Sequence, residues 1–170
     1  MLSGMEIINA VEKGDIIIKP FNKKQVNPNS YNLTLGKELY VYENGILDCK
    51  KKNKIRKITI PKEGFTLCPN EIYLAMSNEY TENNIYVPQI SGRSSIGRVG
   101  IMVHSNAGGG SIGFKGKWLF NITCLVPTKV YTGMQIGQLW FFPLIGDSEI
   151  KYAGEHFNQK KVKSTILHER

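Results

Sequence analysis

The sequence has few cysteines and no long apolar segment. Three cysteines in 170 residues, with no Cys-x-x-Cys pair, are too few and too dispersed for a disulfide framework or a zinc site. The longest apolar stretches, residues 118–120 and 136–142, are far shorter than the roughly 20 residues that span a bilayer. The first six residues have no basic run before an apolar segment, so no signal peptide is expected. We therefore predict a cytoplasmic protein with reduced, mostly buried thiols, no membrane contact and no bound transition metal.

Acidic residues are also scarce, but the positive charge is local. The chain carries 22 Lys and Arg against 14 Asp and Glu, a net charge of +8. Six of the positive charges lie within the eight residues from Lys50 to Lys57. Phosphate tracking along a nucleic acid needs basic groups spread over a surface, whereas a cluster of this kind is typical of a solvated hairpin tip. Binding to DNA or RNA is not expected.

The hydrophobic periodicity predicts one short helix followed by strands. Ser3 and Glu6 have the spacing of a capping box, and Gly14 ends the helix that they begin. Beyond it, apolar residues alternate with polar ones, and short β-branched and aromatic runs are separated by turn residues. The predicted strands lie near residues 31–35, 58–60, 72–76, 85–87, 100–103, 118–126 and 136–142. Many short strands without interleaved helices predict a single all-β barrel or sandwich.

Residues 91–98, which read SGRSSIGR, have the composition of an anion-binding segment. Arginine guanidinium groups can contact phosphate oxygens in pairs, and glycines let backbone N–H groups approach an anion closely. The alternative interpretation is a serine-rich turn with two solvated arginines.

Several ordered segments resemble the dCTP deaminase and dUTPase superfamily. They are residues 91–100, 106–108, 113–116 and 133–139, which read SGRSSIGRVG, NAG, GFKG and GMQIGQL. The segments IKPF at residues 18–21 and NSYNLTLG at residues 29–36, together with the tail around Gln159, resemble the deaminase branch, including its bifunctional deaminase-dUTPase members. The resemblance extends over nearly the whole chain.

The resemblance implies a dUTPase-like β-barrel, a distorted jelly roll, that assembles as a homotrimer with nucleotide sites shared between neighbouring subunits. It places the barrel domain and N-terminal helix at residues 1–151, and a C-terminal arm that closes over a site at residues 152–170. Members of the superfamily convert dCTP to dUTP without zinc, or hydrolyse dUTP with Mg²⁺. We therefore expect a nucleotide ligand, with Mg²⁺ as the one metal that could accompany it.

The resemblance also assigns site residues. The phosphate-binding residues that it implies are Arg93, Ser94, Ser95, Arg98 and Gln138. The residues that it implies for the base and sugar pocket are His104, Asn106, Ala107, Gly108, Gly109, Ser111, Asn121 and Gln159. For His104, a core histidine satisfied by hydrogen bonds is an equally good interpretation.

The chain departs from the family at polar positions of this site. Ser111 stands where the family has an aspartate, and Asn121 stands where the deaminases have their essential glutamate. An asparagine amide has no useful basicity near neutral pH, so Asn121 cannot be a general base. Gly109 replaces an aromatic residue, Glu155 replaces a phosphate-facing lysine, and Asn32 replaces an aspartate.

These departures lead to three hypotheses for the function. The main one is a catalytically degenerate, nucleotide-binding pseudoenzyme that holds or sequesters a modified or signalling nucleotide, as a phage anti-defence sponge would, with Gly109 and Gly110 enlarging the pocket. The second is a dCTP deaminase or nucleotide diphosphatase with an altered active site. The third is a protein-binding regulator that docks through residues 50–57.

Overall fold

The computed structural model describes residues 1–43, 45–103, 107–146, 154 and 158–164. In this part of the chain, ten strands account for most of the regular structure. In chain order the strands are β1 (Ile16–Lys19), β2 (Tyr31–Tyr42), β3 (Ile55–Thr59), β4 (Phe65–Leu67), β5 (Tyr73–Asn83), β6 (Tyr86–Gly92), β7 (Ile101–Val103), β8 (Lys115–Cys124), β9 (Thr128–Val130) and β10 (Gln135–Pro143). Two helices, α1 (Gly4–Lys13) and α2 (Ser94–Gly97), and a single 3-10 turn (Lys23–Gln25) complete it.

Eight of these strands form one antiparallel sheet that nearly closes on itself. Its main order is β6-β10-β2-β5-β8-β7, with β1 paired to β5 and β3 paired to β2. The two end strands approach each other, because a methyl group placed on Gly92 of β6 would lie 3.5 Å from the Val103 side chain of β7. β4 and β9 form a separate pair. The prediction of an all-β barrel with one short N-terminal helix is confirmed.

The N-terminal helix forms as the sequence predicts. The Ser3 hydroxyl accepts a hydrogen bond from the Glu6 N–H at 3.2 Å, which satisfies one of the free donors of the first turn. Gly14 ends the helix in the left-handed conformation, with φ of 83°. Ile7 and Ala10 are buried and bring one face of the helix onto the barrel.

The predicted strands are all present, but several elements extend beyond the prediction or were missed. β2 and β5 are 12 and 11 residues long, about twice the predicted runs. β1 was missed because it reads as a continuous apolar run without alternation, and β4 and β9 because each has only three residues. The basic cluster divides between a turn and β3, where Arg56 and Lys57 are exposed.

A register shift interrupts β5 at its centre, in its pairing with β2 on one side and with β8 on the other. The pairing with β2 shifts between Leu35 and Leu39, and the pairing with β8 shifts between Met76 and Tyr80. Side chains replace the lost backbone hydrogen bonds. The Trp118 N–H donates to the Ser77 hydroxyl at 2.9 Å, and the Glu79 carboxylate accepts from both the N–H and the hydroxyl of Thr34 at 2.9 and 2.8 Å.

The prediction of mostly buried thiols is wrong. Cys124 is buried at the end of β8, but Cys49 and Cys68 are exposed because both lie in turns between strands. All three are unpaired. No helix within the described ranges has the length and apolar character needed to cross a membrane.

Tyr31 makes stability sensitive to alkaline pH. Its side chain is fully buried, and this burial raises the pKa of the phenol to about 12, while a hydrogen bond from the Asn22 N–H opposes the shift and Glu79 adds to it. The folded protein therefore favours the neutral phenol. That contribution is complete below pH 10, the ordinary pKa, and is lost as the pH rises through about 12.

We expect the free energy of unfolding to fall between pH 10 and 12, with about 2 kcal/mol of the change due to Tyr31. Urea titrations of wild type and Tyr31→Phe across this range measure it. The variant lacks the hydroxyl that accepts a hydrogen bond from the Asn22 N–H, so its free energy of unfolding is lower at every pH. The decrease of that free energy with rising pH should nevertheless be shallower than in wild type. An equal slope in both proteins would contradict the assignment.

Candidate functional site

A cavity of about 220 Å³ lies between β8 and the segment of residues 107–114. Small and amide side chains that the sequence predicted for a base and sugar pocket line it together. The lining residues are Ala107, Gly109, Gly110, Ser111, Phe114, Lys117, Trp118, Leu119, Asn121 and Gln159. Five of the predicted pocket residues therefore meet in one place.

The alternation of β8 explains why Asn121 faces this cavity. Phe120 and Ile122 are fully buried in the barrel, so Asn121, which lies between them, points outwards and is exposed. Leu119 shares the outer face two residues earlier. Trp118 anchors the cavity wall, because its indole N–H donates to the Thr81 hydroxyl at 3.0 Å and its ring packs 4.5 Å from that of Phe114.

The three glycines of residues 108–110 have different surroundings. A Cβ at Gly108 would collide with the Ile90 carbonyl, and one at Gly110 would lie 2.7 Å from the Trp118 ring and 2.9 Å from Pro88. A Cβ at Gly109 would meet nothing within 4 Å. The space left by the missing aromatic residue is thus at Gly109, whereas Gly110 is required by close packing and does not enlarge the cavity.

Gln159 enters the cavity from the C-terminal arm. The arm pairs with the start of β8: the Asn158 N–H donates to the Lys115 carbonyl at 2.7 Å, and the Lys117 N–H donates to the Gln159 carbonyl at 2.9 Å. Gly116 permits this approach because its φ is 145° and a side chain there would lie 2.9 Å from the Gln159 backbone. Gln159 is 6% exposed.

The predicted phosphate-binding residues lie together at a different place. Residues 91–98 form the end of β6 and the short helix α2, where Ser94, Ser95 and Arg98 are exposed. Gln138 of β10 donates from its side-chain amide to the Gly92 carbonyl at 3.1 Å. The Arg93 guanidinium donates to the Gln135 carbonyl at 3.3 Å. We call this group of residues the arginine-serine segment.

A polar network that the sequence analysis missed supports this segment. Asn32 is 3% exposed, and its amide donates to the Gln135 side-chain oxygen at 3.0 Å and accepts from the Asn27 amide at 2.8 Å. The Ser30 hydroxyl donates to the Gln138 side chain at 3.3 Å. The signal available in the sequence was the NPNSYN run of residues 27–32, whose amides and hydroxyl precede an apolar strand.

Within one chain the cavity and the arginine-serine segment do not form a single site. None of Arg93, Ser94, Ser95, Arg98 and Gln138 lines the cavity. Gly108 lies beside it and accepts a hydrogen bond from the Ile90 N–H at 2.7 Å. The predicted residues His104, Asn106 and Glu155 lie outside the described residues.

The described lining of the cavity contains no carboxylate. Its polar groups are the Ser111 hydroxyl, the amides of Asn121 and Gln159 and the ammonium group of Lys117. The hydroxyl and amides can each donate and accept hydrogen bonds, so they can orient a base edge or a water molecule. None of these three groups can take a proton from water near neutral pH.

The fold and these two sets of residues define a β-barrel protein of the dUTPase type. A crystal structure of 2′-deoxycytidine 5′-triphosphate deaminase from Agrobacterium tumefaciens has the same fold, with a TM-score of 0.65 and 18% identity over 82% of this chain. The aligned part covers 47% of that longer chain. The sequence profile of the dCTP deaminase-like family matches residues 1–144, and the chain belongs to that family.

Relatives named "dCTP deaminase, dUMP-forming" match almost the full chain. The protein of Clostridium acetobutylicum is 46% identical over 99% of this chain and 96% of its own length. That of Hathewaya histolytica is 46% identical over 98% of this chain and 96% of its own length, and that of Cytophaga hutchinsonii is 42% identical over 99% and 96%.

These relatives correct the main functional hypothesis. The sequence analysis favoured a degenerate binding protein without catalysis, because Asn121 and Ser111 occupy carboxylate positions. Proteins with 42–46% identity along the whole chain carry the name of an enzyme. The hypothesis of an enzyme with an altered active site agrees with them, whereas the pseudoenzyme hypothesis does not. The error came from giving two side chains more weight than the agreement of the whole sequence.

The surroundings of the glycines predict opposite effects of two neighbouring substitutions. Gly109→Ala should leave the thermal midpoint nearly unchanged, because the new methyl group meets no atom. Gly110→Ala should lower the free energy of unfolding by about 1 to 3 kcal/mol, because the methyl group overpacks against Trp118 and Pro88. Thermal and urea denaturation of the two variants test this, and equal stability of both would contradict the described packing.

Proposed function

We propose that the protein is an enzyme that deaminates dCTP and releases dUMP, with an altered active site. The balanced reaction consumes dCTP and two water molecules and yields dUMP, ammonia and pyrophosphate. The observation that carries the proposal is the full-length similarity to relatives named for this reaction. The active site is called altered because Asn121 and Ser111, which line the cavity, occupy positions where the family resemblance implies a glutamate and an aspartate. Hydrolysis of dUTP or of another nucleotide is the related activity.

The cavity suits a pyrimidine base better than a phosphate chain. Trp118, Phe114 and Leu119 supply apolar walls, and the amides of Asn121 and Gln159 supply paired donors and acceptors. A cytosine edge presents both kinds of hydrogen-bonding group. The arginine-serine segment, with two guanidinium groups and two exposed hydroxyls, suits the phosphates.

The altered groups determine how the chemistry can proceed. Deamination requires water to attack the base carbon that carries the amine, and the amine must leave with an added proton. Asn121 and Ser111 can hold that water by hydrogen bonds but cannot accept its proton. The described lining therefore contributes positioning, and the proton that the attacking water loses passes through solvent to the amine, which leaves as ammonia. We expect slower turnover than a site with a carboxylate would give.

The described cavity does not fit a magnesium site built from protein ligands. Mg²⁺ is usually held by one or two carboxylates together with substrate phosphates, and the described lining offers no carboxylate. Any Mg²⁺ would therefore be bound by the phosphates of the nucleotide as part of the substrate. No step of the proposed reaction passes through it.

The separation of the two half-sites supports a homotrimer with shared sites. We infer that the cavity of one subunit meets the arginine-serine segment of its neighbour, as the family resemblance implies. A heterologous contact repeated around a threefold axis closes into a ring and builds three equal sites. The cytoplasmic location and the arm boundary at residue 152 stay predictions.

Product analysis tests the proposed reaction. Wild type incubated with dCTP should release ammonia and dUMP in equal amounts, measured by chromatography and a coupled ammonia assay. Asn121→Glu should raise the rate by about 10²- to 10⁴-fold, because it restores a group that can move protons. The effect should be largest near neutral pH, where the carboxylate is ionised.

Gly109→Trp is the matched control, since it introduces a large ring at a residue of the cavity lining where a Cβ meets no atom within 4 Å, and it is designed to block the cavity. Purified in the same way, it should form no product, which separates the protein's own turnover from a contaminating host deaminase. Equal product formation by wild type and Gly109→Trp would overturn the proposed function.

Complementation tests the shared site. Arg98→Ala removes a phosphate contact and Gly109→Trp blocks the base cavity, so each variant alone should be inactive. Coexpressed with different tags, the two chains should assemble into mixed trimers, and in each mixed trimer one of the three sites combines an intact arginine-serine segment with an intact cavity, so about a third of the sites are restored. Sedimentation confirms the trimer, and nucleotide binding by calorimetry counts the restored sites.

If both half-sites came from the same chain, mixed trimers would contain no intact site. Absence of recovery in trimers shown to contain both tags would therefore contradict the shared arrangement. Coexpression of Arg98→Ala with Arg93→Ala is the control, because both changes lie in the same segment and no recovery is expected on either arrangement.

A further inference from the structure

A second cavity, of about 350 Å³, lies beside the first and has a different chemical character. Lysines from three parts of the chain line it: Lys37 of β2, Lys117 of β8, and Lys160 and Lys161 of the arm. We call it the lysine cleft. Its volume is within the range of about 300 to 1,000 Å³ that is typical of small-molecule sites. Lys117 lines both cavities.

The positive charge of the lysine cleft is only partly neutralised by the described residues. Among the described residues, the ion pairs involve other lysines, and none includes Lys37, Lys117, Lys160 or Lys161. A carboxylate in the lining belongs to Glu38, but its oxygens are already engaged.

The Glu38 carboxylate forms its hydrogen bonds with residues other than the four lysines of the cleft. One of its oxygens accepts from the Tyr40 hydroxyl at 2.9 Å, and the other pairs with the Lys57 ammonium group at 3.2 Å. The hydrogen bond from Tyr40 and then that from Lys57 lower the pKa of Glu38, so it stays ionised and paired. The charge of Lys37 also contributes to this lowering, although Lys37 forms no ion pair with Glu38. The described lining thus holds four lysines and one carboxylate, which leaves an excess of three positive charges.

The neutral wall of the cleft is fixed by the register shift of β5. The Ser77 hydroxyl donates to the Glu79 carbonyl at 2.7 Å, and the Asn78 amide donates to the Thr34 hydroxyl and the Leu35 carbonyl at 3.0 Å each. These groups already form hydrogen bonds within the protein, so recognition of a ligand in the cleft depends on the lysines. A hydrogen-bonded neutral wall facing several cationic side chains is suited to an anion of several charges.

We propose that the lysine cleft binds a polyphosphate anion, either free pyrophosphate or the phosphate chain of a nucleotide, and that this anion holds the C-terminal arm against the barrel. Two of its lysines belong to the barrel and two to the arm, so one multivalent anion contacts both. The arm is otherwise attached there through the backbone hydrogen bonds of Asn158 and Gln159 to β8.

Closure of the arm would couple the two cavities. Gln159 lines the first cavity, and the next residue, Lys160, lines the lysine cleft. An anion in the cleft therefore favours the arm position that places Gln159 in the first cavity. This coupling does not depend on catalysis, so it can be tested whether or not the proposed reaction occurs.

The binding test uses calorimetric titration of the full chain with sodium pyrophosphate. Wild type should bind it, and Lys37→Ala/Lys160→Ala should bind at least about tenfold more weakly, because each substitution removes a charge-assisted contact. The matched control is Lys13→Ala/Lys62→Ala, which removes two exposed lysines outside the cleft and changes the net charge equally. Equal weakening in both double variants would show general electrostatic attraction and overturn the site.

The source of the phosphate is separated by two further titrations. A dCTP analogue that resists hydrolysis is added to Gly109→Trp, whose first cavity is blocked, and deoxycytidine is added to wild type. If the analogue binds to Gly109→Trp, and if adding Lys37→Ala/Lys160→Ala to that variant abolishes the binding, the phosphates of a nucleotide lie in the cleft. Binding of pyrophosphate without such analogue binding identifies the free anion. Failure of both anions to bind overturns the proposal.

Hydrogen exchange tests the effect on the arm. Pyrophosphate should slow exchange of the amides of residues 158–164 in wild type and in Lys13→Ala/Lys62→Ala, but not in Lys37→Ala/Lys160→Ala. Deoxycytidine, which has no phosphate, should not reproduce the effect. Unchanged exchange in wild type at saturating pyrophosphate would overturn the coupling between the cleft and the arm.

Discussion

The register shift at the centre of β5 is the constraint on which the rest of the barrel depends. β5 pairs with β2 on one side and β8 on the other, and both pairings are interrupted there, so the shift affects two neighbours at once. Ser77, Asn78 and Glu79 replace the missing ladder bonds with side-chain hydrogen bonds to Trp118 and Thr34. Buried polar groups that are fully bonded fix one register, because any slip would leave them unpaired at a cost of about 1 to 3 kcal/mol each. The same residues form the walls of both cavities or support them.

Three altered positions of the site each lack a negative charge that the family resemblance implies. Asn32, Ser111 and Asn121 are neutral residues at positions where the family resemblance implies carboxylates. Asn32 shows what such a change does locally: its amide donates to the Gln135 side chain, a hydrogen bond that an ionised aspartate could not donate. The hydrogen-bond network beneath the arginine-serine segment therefore requires an amide at residue 32. The described cavity and this network both lack carboxylates that the family resemblance implies. The proposed reaction therefore relies more on orientation of water than on proton transfer by the protein.

Periodicity and motif spacing predicted the parts of this protein that are determined locally. The Ser3 cap, the Gly14 terminus and the alternating residues of β2 and β8 could be recognised because each depends on neighbours in the sequence. The grouping of the predicted site residues agrees with the structure, since Gly109, Ser111 and Asn121 line one cavity and Arg93 and Gln138 lie together, while their roles in binding stay a prediction. The second cavity could not be found this way, because Lys37, Lys117 and Lys160 meet only through the fold. Catalysis was misjudged for a related reason, since substitutions at single positions do not reveal how a site compensates for them.

The position of β10 between β6 and β2 has a consequence for synthesis of the protein. Gln138 pairs with Asn32 on one side and with Ser91 on the other, so the last strand completes contacts that span more than half of the chain. While the ribosome is still translating, β2 and β6 each expose an unpaired edge until residue 143 has emerged. Such edges are open to association with other chains. Barrel closure is therefore a late event in the synthesis of the chain.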